Sequence, residues 1–141
     1  DSLIKREGTL NALATATGVI CAGGYIEKSE TERPAALYVS AGSDRFPNNL
    51  IVSAQVEATS VLRGIPASGT YSGSTAWLKG TSMAAPQVAR IAADELVTLP
   101  ANGDLKAALV AAAKASGPLA DSDISTDMDR LRLGQARFLK S

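Results

Sequence analysis

The sequence predicts an α/β fold with a mostly parallel sheet. Two observations carry this. Short apolar runs bounded by Gly, Pro and Asn occupy the first half, and two segments with helical periodicity follow from residue 82 onward. The chain has 141 residues, enough for one domain of ordinary size, with an ordinary globular balance of 45% hydrophobic and 20% charged residues.

The elements read in order as follows. Residues 8–15 are a mildly apolar lead-in. Val19-Ile20-Cys21-Ala22, closed by Gly23-Gly24, fits a buried strand. The charged stretch Glu27–Arg33 ends at Pro34 and reads as an exposed loop. Ala36–Ser40 reads as a second strand, ended by Ala41-Gly42-Ser43-Asp44. Phe46-Pro47-Asn48-Asn49 is turn chemistry. Leu50–Ala54 is a short apolar strand, Val61–Pro66 a weaker one, and Ser68–Ser74 an irregular loop. Thr75–Leu78 is a brief strand leading into Lys79-Gly80.

From Ser82 the period changes. Val88, Ile91, Ala92, Leu96 and Leu99 recur at three- and four-residue spacing on one helix face. Pro86 is expected in the first turn, where its missing N–H removes no intrahelical bond. Pro100 and Gly103 end that helix. Asp104 is a good N-cap for a second helix with Leu105, Ala108, Leu109 and Ala112 on one face, and Gly117-Pro118 stops it. Asp121–Asp129 reads as a solvated acidic loop, and residues 131–138 as a final turn or strand.

Composition narrows the chemistry. Formal net charge is zero, with no basic block that would argue for nucleic acid, and no apolar stretch approaches membrane-spanning length. The single cysteine, Cys21, excludes a disulfide within the chain and reads as a small core residue. The chain contains no histidine, so neither a histidine general base nor a histidine metal site can come from it.

One segment stands out: Gly80-Thr81-Ser82-Met83-Ala84-Ala85-Pro86. A glycine permits a tight turn just before a helix. Ser82 then falls at or near the helix N-cap, where free N–H groups and the positive end of the helix dipole gather. A hydroxyl there can attack a carbonyl while backbone N–H groups receive the developing oxyanion. Taken alone, a Gly-x-Ser is more often a plain helix cap.

The longer run to Ala89 resembles the nucleophile motif of the subtilisin-like serine peptidases, Gly-Thr-Ser-Met-Ala-(Ala/Ser)-Pro-x-Val-Ala. Residues 19–24 resemble the family's Val-Ile-x-Val-Gly-Ala strand, residues 33–42 a strand ending in Phe/Tyr-Ser-x-x-Gly, and residues 64–73 the loop before the nucleophile strand. The resemblance covers a little over half the chain. It implies the subtilisin-like three-layer fold with helices on both faces of the sheet. Residues 1–141 would be the C-terminal portion of that catalytic domain.

The resemblance makes Ser82 the acylating nucleophile, with backbone support for the oxyanion from Thr81 and Ser82. Gln87 departs from the histidine common at that position. The family orders its triad Asp, His, Ser, so the resemblance places Asp, His and the oxyanion Asn on another chain. That chain would be the N-terminal part of the same precursor, consistent with a start at Asp1 that carries neither Met nor a signal peptide. Ala41-Gly42-Ser43 looks like a degraded copy of the Asn-bearing Ala-Gly-Asn motif, but its flanking strands fit later family strands.

The expected partners are thus the precursor's N-terminal chain and a peptide or protein substrate, with no nucleic acid and no membrane. The resemblance favours a secreted or periplasmic setting, but the sequence does not reveal the compartment. No cofactor is implied. A structural calcium, common in the family, has no assigned ligands: Asp121, Asp123, Ser125 and Asp127 have alternate spacing, but Thr126 and Arg132 stand where a calcium loop needs Gly and Glu. A Ser82–Lys79 dyad is an alternative base arrangement for which sequence proximity gives no geometry. The rival from another class is a catalytically inactive pseudo-peptidase acting as a partner-binding or structural module.

Overall fold

The computed structural model describes residues 9–42, 50–58, 64–119, 124 and 131–139. The expected turn at Phe46–Asn49, most of the acidic stretch Asp121–Asp129, residues 61–63 and Ser43 lie outside them.

The fold is α/β. Among the described residues the elements run in the order β1 (Cys21–Ile26), β2 (Leu50–Glu57), β3 (Ile65–Ser68), β4 (Thr75–Leu78), α1 (Thr81–Thr98), α2 (Leu105–Ser116) and β5 (Ala136–Arg137), after a 3-10 turn at Leu13–Thr15 and with a further helical turn at 131–133 before β5. A three-stranded sheet has the order β1-β2-β5, and both of its pairings are parallel. β3 and β4 form a separate antiparallel hairpin. Ser74 closes the hairpin loop: its Oγ donates to Tyr71 O at 2.7 Å and accepts from Tyr71 N at 3.1 Å.

β2 is the central strand and is buried from Leu50 through Val56. A strand covered on both faces is expected to be nearly continuously apolar. From Val52 onward β2 instead alternates. Val52, Ala54 and Val56 join the main core with Ala84 and Val88 of α1 and Leu109 and Ala113 of α2. Ser53 and Gln55 point the other way, by the two-residue period of a strand. There Ser53 Oγ donates to Ala136 O at 3.4 Å and Gln55 Nε2 to Glu27 Oε2 at 2.9 Å.

The two long helices share one face of the sheet, and a helical turn at residues 131–133 lies on the other, where Leu133 packs against Tyr25. α1 and α2 pack against each other and both against β2. Beside β1, Gly24 faces Val56 and Val39 of the helix side, so its neighbour Tyr25 faces the opposite side. There Tyr25 packs with Ala35 and Leu133, and Leu119 and Leu139 join them. That small apolar cluster lies beside the buried polar Ser53 and Gln55 on this face.

Three local expectations change. Ala36–Ser40 is not a strand. Ala35 makes a single antiparallel bridge to Tyr25, and Val39 N then returns to Ala36 O at 3.0 Å in a turn. Ala36 and Val39 are buried three residues apart while Leu37 and Tyr38 between them are exposed, the signature of a turn rather than of alternation. Pro86 lies in the second turn of α1, as its sixth residue. It therefore removes one ladder bond, the one its N–H would have made to the Ser82 carbonyl. The apolar face of α1 also fades: Leu96 is 55% exposed.

α2 follows the sequence reading closely. Asp104 caps it, with Oδ1 accepting from Lys106 N at 2.9 Å and Ala107 N at 3.2 Å. Among the described residues, no helix is long and apolar enough to cross a membrane.

Candidate active site

Ser82 is the second residue of α1, and Gly80 rather than the serine occupies the N-cap. Gly80 has φ +125° and ψ 168°, which L side chains rarely adopt. A Cβ there would meet nothing within 4 Å, so conformation and not crowding requires the glycine. Two bonds hold the turn: Gly80 N donates to Val56 O at 3.2 Å, and Met83 N to Gly80 O at 2.9 Å. The first N–H groups of a helix lack intrahelical acceptors. Met83 N turns back onto Gly80 O, while Thr81 and Ser82 precede any intrahelical acceptor.

The first turn of α1 contains no acidic side chain, so nothing of its own neutralises the positive end of the helix dipole. Thr81 and Ser82 are both exposed. The turn abuts Val56 and Glu57 at the carboxyl end of β2, and β1 ends alongside, since Ile26 pairs with Glu57. In open α/β sheets, ligands bind outside the carboxyl ends of the strands.

Thr81 and Ser82 are thus brought together at one surface, but no base accompanies them. Among the described residues, the Ser82 hydroxyl makes no hydrogen bond. Lys79 Nζ lies 3.9 Å from Glu57 Oε1, which turns it toward β2, so the Ser82–Lys79 dyad is not formed. The other oxygen of Glu57 accepts from the Tyr38 hydroxyl at 3.3 Å. Burial, then the charge of Glu57 and this bond, push Tyr38 up to about 12, leaving it a neutral donor rather than a base. A serine hydroxyl without a base is a weak nucleophile.

Two concavities lie elsewhere. One, about 760 Å³, is formed by the β3–β4 hairpin loop; the other, about 530 Å³, lies between α2 and Ile51 and Gln135. Neither includes Ser82. The hairpin concavity is open and built from one exposed loop, so the exposed helix start at the strand ends is the stronger candidate. Cys21 is half-buried at the head of β1, and burial, opposed by the Lys106 charge, pushes its thiol up. That makes it a poor nucleophile.

The tertiary contact of Gln87 was not legible in the sequence. Its Nε2 donates to Met83 O at 2.6 Å and to Gln55 O at 2.8 Å, and the second partner is 32 residues away in sequence. Local pattern carries no signal for such a contact.

No family model matches this chain, and neither the curated proteins nor the solved structures contain a significant match to it.

Proposed function

We propose that residues 1–141 are the nucleophile-bearing portion of a subtilisin-like serine peptidase, with Ser82 as the nucleophile. The observation that carries this reading is the placement of Ser82. It stands exposed in the first turn of α1, two residues after a positive-φ glycine and at the carboxyl end of a parallel sheet. The ten-residue resemblance at Gly80–Ala89 supports the same assignment.

Since the chain has no histidine, the imidazole comes from polypeptide outside these residues, together with the carboxylate and the side-chain oxyanion donor. That polypeptide is the precursor's N-terminal part. The imidazole takes the Ser82 proton as Oγ attacks the scissile carbonyl, and the carboxylate orients it. The N–H groups of Ser82 and Thr81 meet the oxyanion. Collapse expels the amine, which receives the proton, and leaves an acyl group on Ser82. Water then releases the peptide acid.

The test is a fluorophosphonate probe on the native assembled protein, beside its Ser82→Ala variant. Labelling confined to Ser82, and lost together with peptide hydrolysis in the variant, is the expected result. Turnover that survives in Ser82→Ala defeats the assignment. An assembly that neither labels nor turns over, and whose partner lacks His and Asp near Ser82, is the pseudo-peptidase module.

A further inference from the structure

We infer that Gln87 is a positioning residue for Ser82: its side-chain amide straps the first turn of α1 to the carboxyl end of β2. This rests on the peptidase reading only for its catalytic consequence; the strap itself is a matter of geometry.

The argument begins with Pro86. By removing the N–H that would reach the Ser82 carbonyl, it weakens the helix ladder at the nucleophile's own turn. Something else must hold that turn. β2 supplies the anchor, because its other neighbour ends early. β5 pairs with β2 only at Val52 and Ser53, and Phe138 N takes the Ser53 carbonyl at 2.8 Å. Carbonyls two residues apart point to the same edge of a strand. The next one on that edge, at Gln55, therefore lies past the end of β5. Gln87 Nε2 takes it at 2.8 Å.

The same nitrogen donates to Met83 O at 2.6 Å, one residue after the nucleophile. An amide NH₂ has two protons, and this one uses both. Gly80 N takes the adjacent Val56 carbonyl from the other side of the turn. Ser82 is thus bracketed by two ties to consecutive β2 carbonyls, one before it and one after. A ring N–H, as in the histidine common at this position, supplies one of these bonds at a time; the amide supplies both. Glutamate at the same length supplies neither and sets a carboxylate against two carbonyl oxygens.

The experiment compares native assembled protein with Gln87→Met, which keeps the length but cannot donate, and Gln87→His. Amide deuterium uptake is read in peptides covering residues 79–85 and 105–116, and the rate of fluorophosphonate labelling at Ser82 is followed across a pH series. The expected result for Gln87→Met is faster uptake in 79–85 with 105–116 unchanged. Labelling slows about tenfold at an unchanged pH midpoint, a milder loss than the ~100-fold that a 1 Å misplacement can cost. Gln87→His recovers part of both. Unchanged uptake in 79–85, or an equal rise in both peptides, overturns the strap. Wild-type protein that does not label at Ser82 overturns the peptidase reading instead, and the exchange comparison still decides the role of Gln87.

Discussion

The Tyr25 hydroxyl donates to the Phe138 carbonyl at 2.9 Å across 113 residues of sequence, joining the face of β1 to the segment after β5. Tyr25 is 1% exposed. The Arg137 guanidinium sits 5.9 Å from its ring centroid and donates to Arg33 O and Pro118 O. This polar layer is what seats β5 against β2. Tyr25→Phe leaves the buried Phe138 carbonyl without its donor and should cost about 1–3 kcal/mol in urea unfolding of the native assembled protein. A variant as stable as wild type would show that the contact is not what seats β5.

The same tyrosine sets an alkaline limit. Burial, reinforced by the Glu27 charge and opposed by Arg33 and Arg137, raises it from 10.0 to about 12. Folding therefore favours the protonated phenol. Below pH 10 both states hold the proton and this contribution is complete. As pH climbs toward 12 the unfolded chain ionises first, and the contribution is lost. Wild-type stability should fall over that window, more steeply than in Tyr25→Phe. Parallel pH profiles for the two proteins would contradict the assignment.

Gly80 and Gly18 make a controlled pair. A Cβ at either meets nothing within 4 Å, yet only Gly80 has positive φ. Gly80→Ala should cost about 1–3 kcal/mol through backbone strain alone. Gly18→Ala should be neutral, or stabilise by about 0.4–1 kcal/mol by narrowing the unfolded ensemble. Equal thermal shifts in the two variants would remove conformation as the reason for glycine at the head of α1.

What the sequence revealed divides along the range of the forces involved. α2 was legible because its signals are local: Asp104 satisfies two N–H groups within three residues, and Gly117-Pro118 ends the helix. The place of Ser82 at the start of α1 was legible because a glycine, a hydroxyl and a helix start are neighbours in sequence. The stretch Ala36–Ser40 misled because apolar content alone cannot separate a strand from a turn whose first and last residues are buried. The short β5 was visible only as an undecided turn or strand, because its two residues are strand only through pairing with Val52 and Ser53. Gln87 stayed silent for the same reason.

Asp104→Ala should destabilise by about 1 kcal/mol, since two helix N–H groups lose their acceptor at once. Asp104→Asn keeps a capping oxygen and should recover most of that loss. Chemical denaturation of the three proteins in parallel checks the order. If Asn is as damaging as Ala, the carboxylate is acting through charge on the helix dipole rather than as a cap.

Residues 1–141 expressed alone should self-associate. The β3–β4 hairpin exposes Tyr71 (81%), Trp77 (50%) and Leu78 (44%), and the last turns of α1 expose Leu96 (55%) and Val97 (84%). Exposed large apolar side chains in this number favour association between copies. Supplying the polypeptide proposed above to carry His and Asp should cover these side chains and convert aggregated material into a species with one cooperative melt. Sedimentation across a concentration series, with and without that polypeptide, reads the outcome directly. A monomer that melts cooperatively on its own would mean that these side chains need no cover, and the hetero-assembly would lose its physical motive.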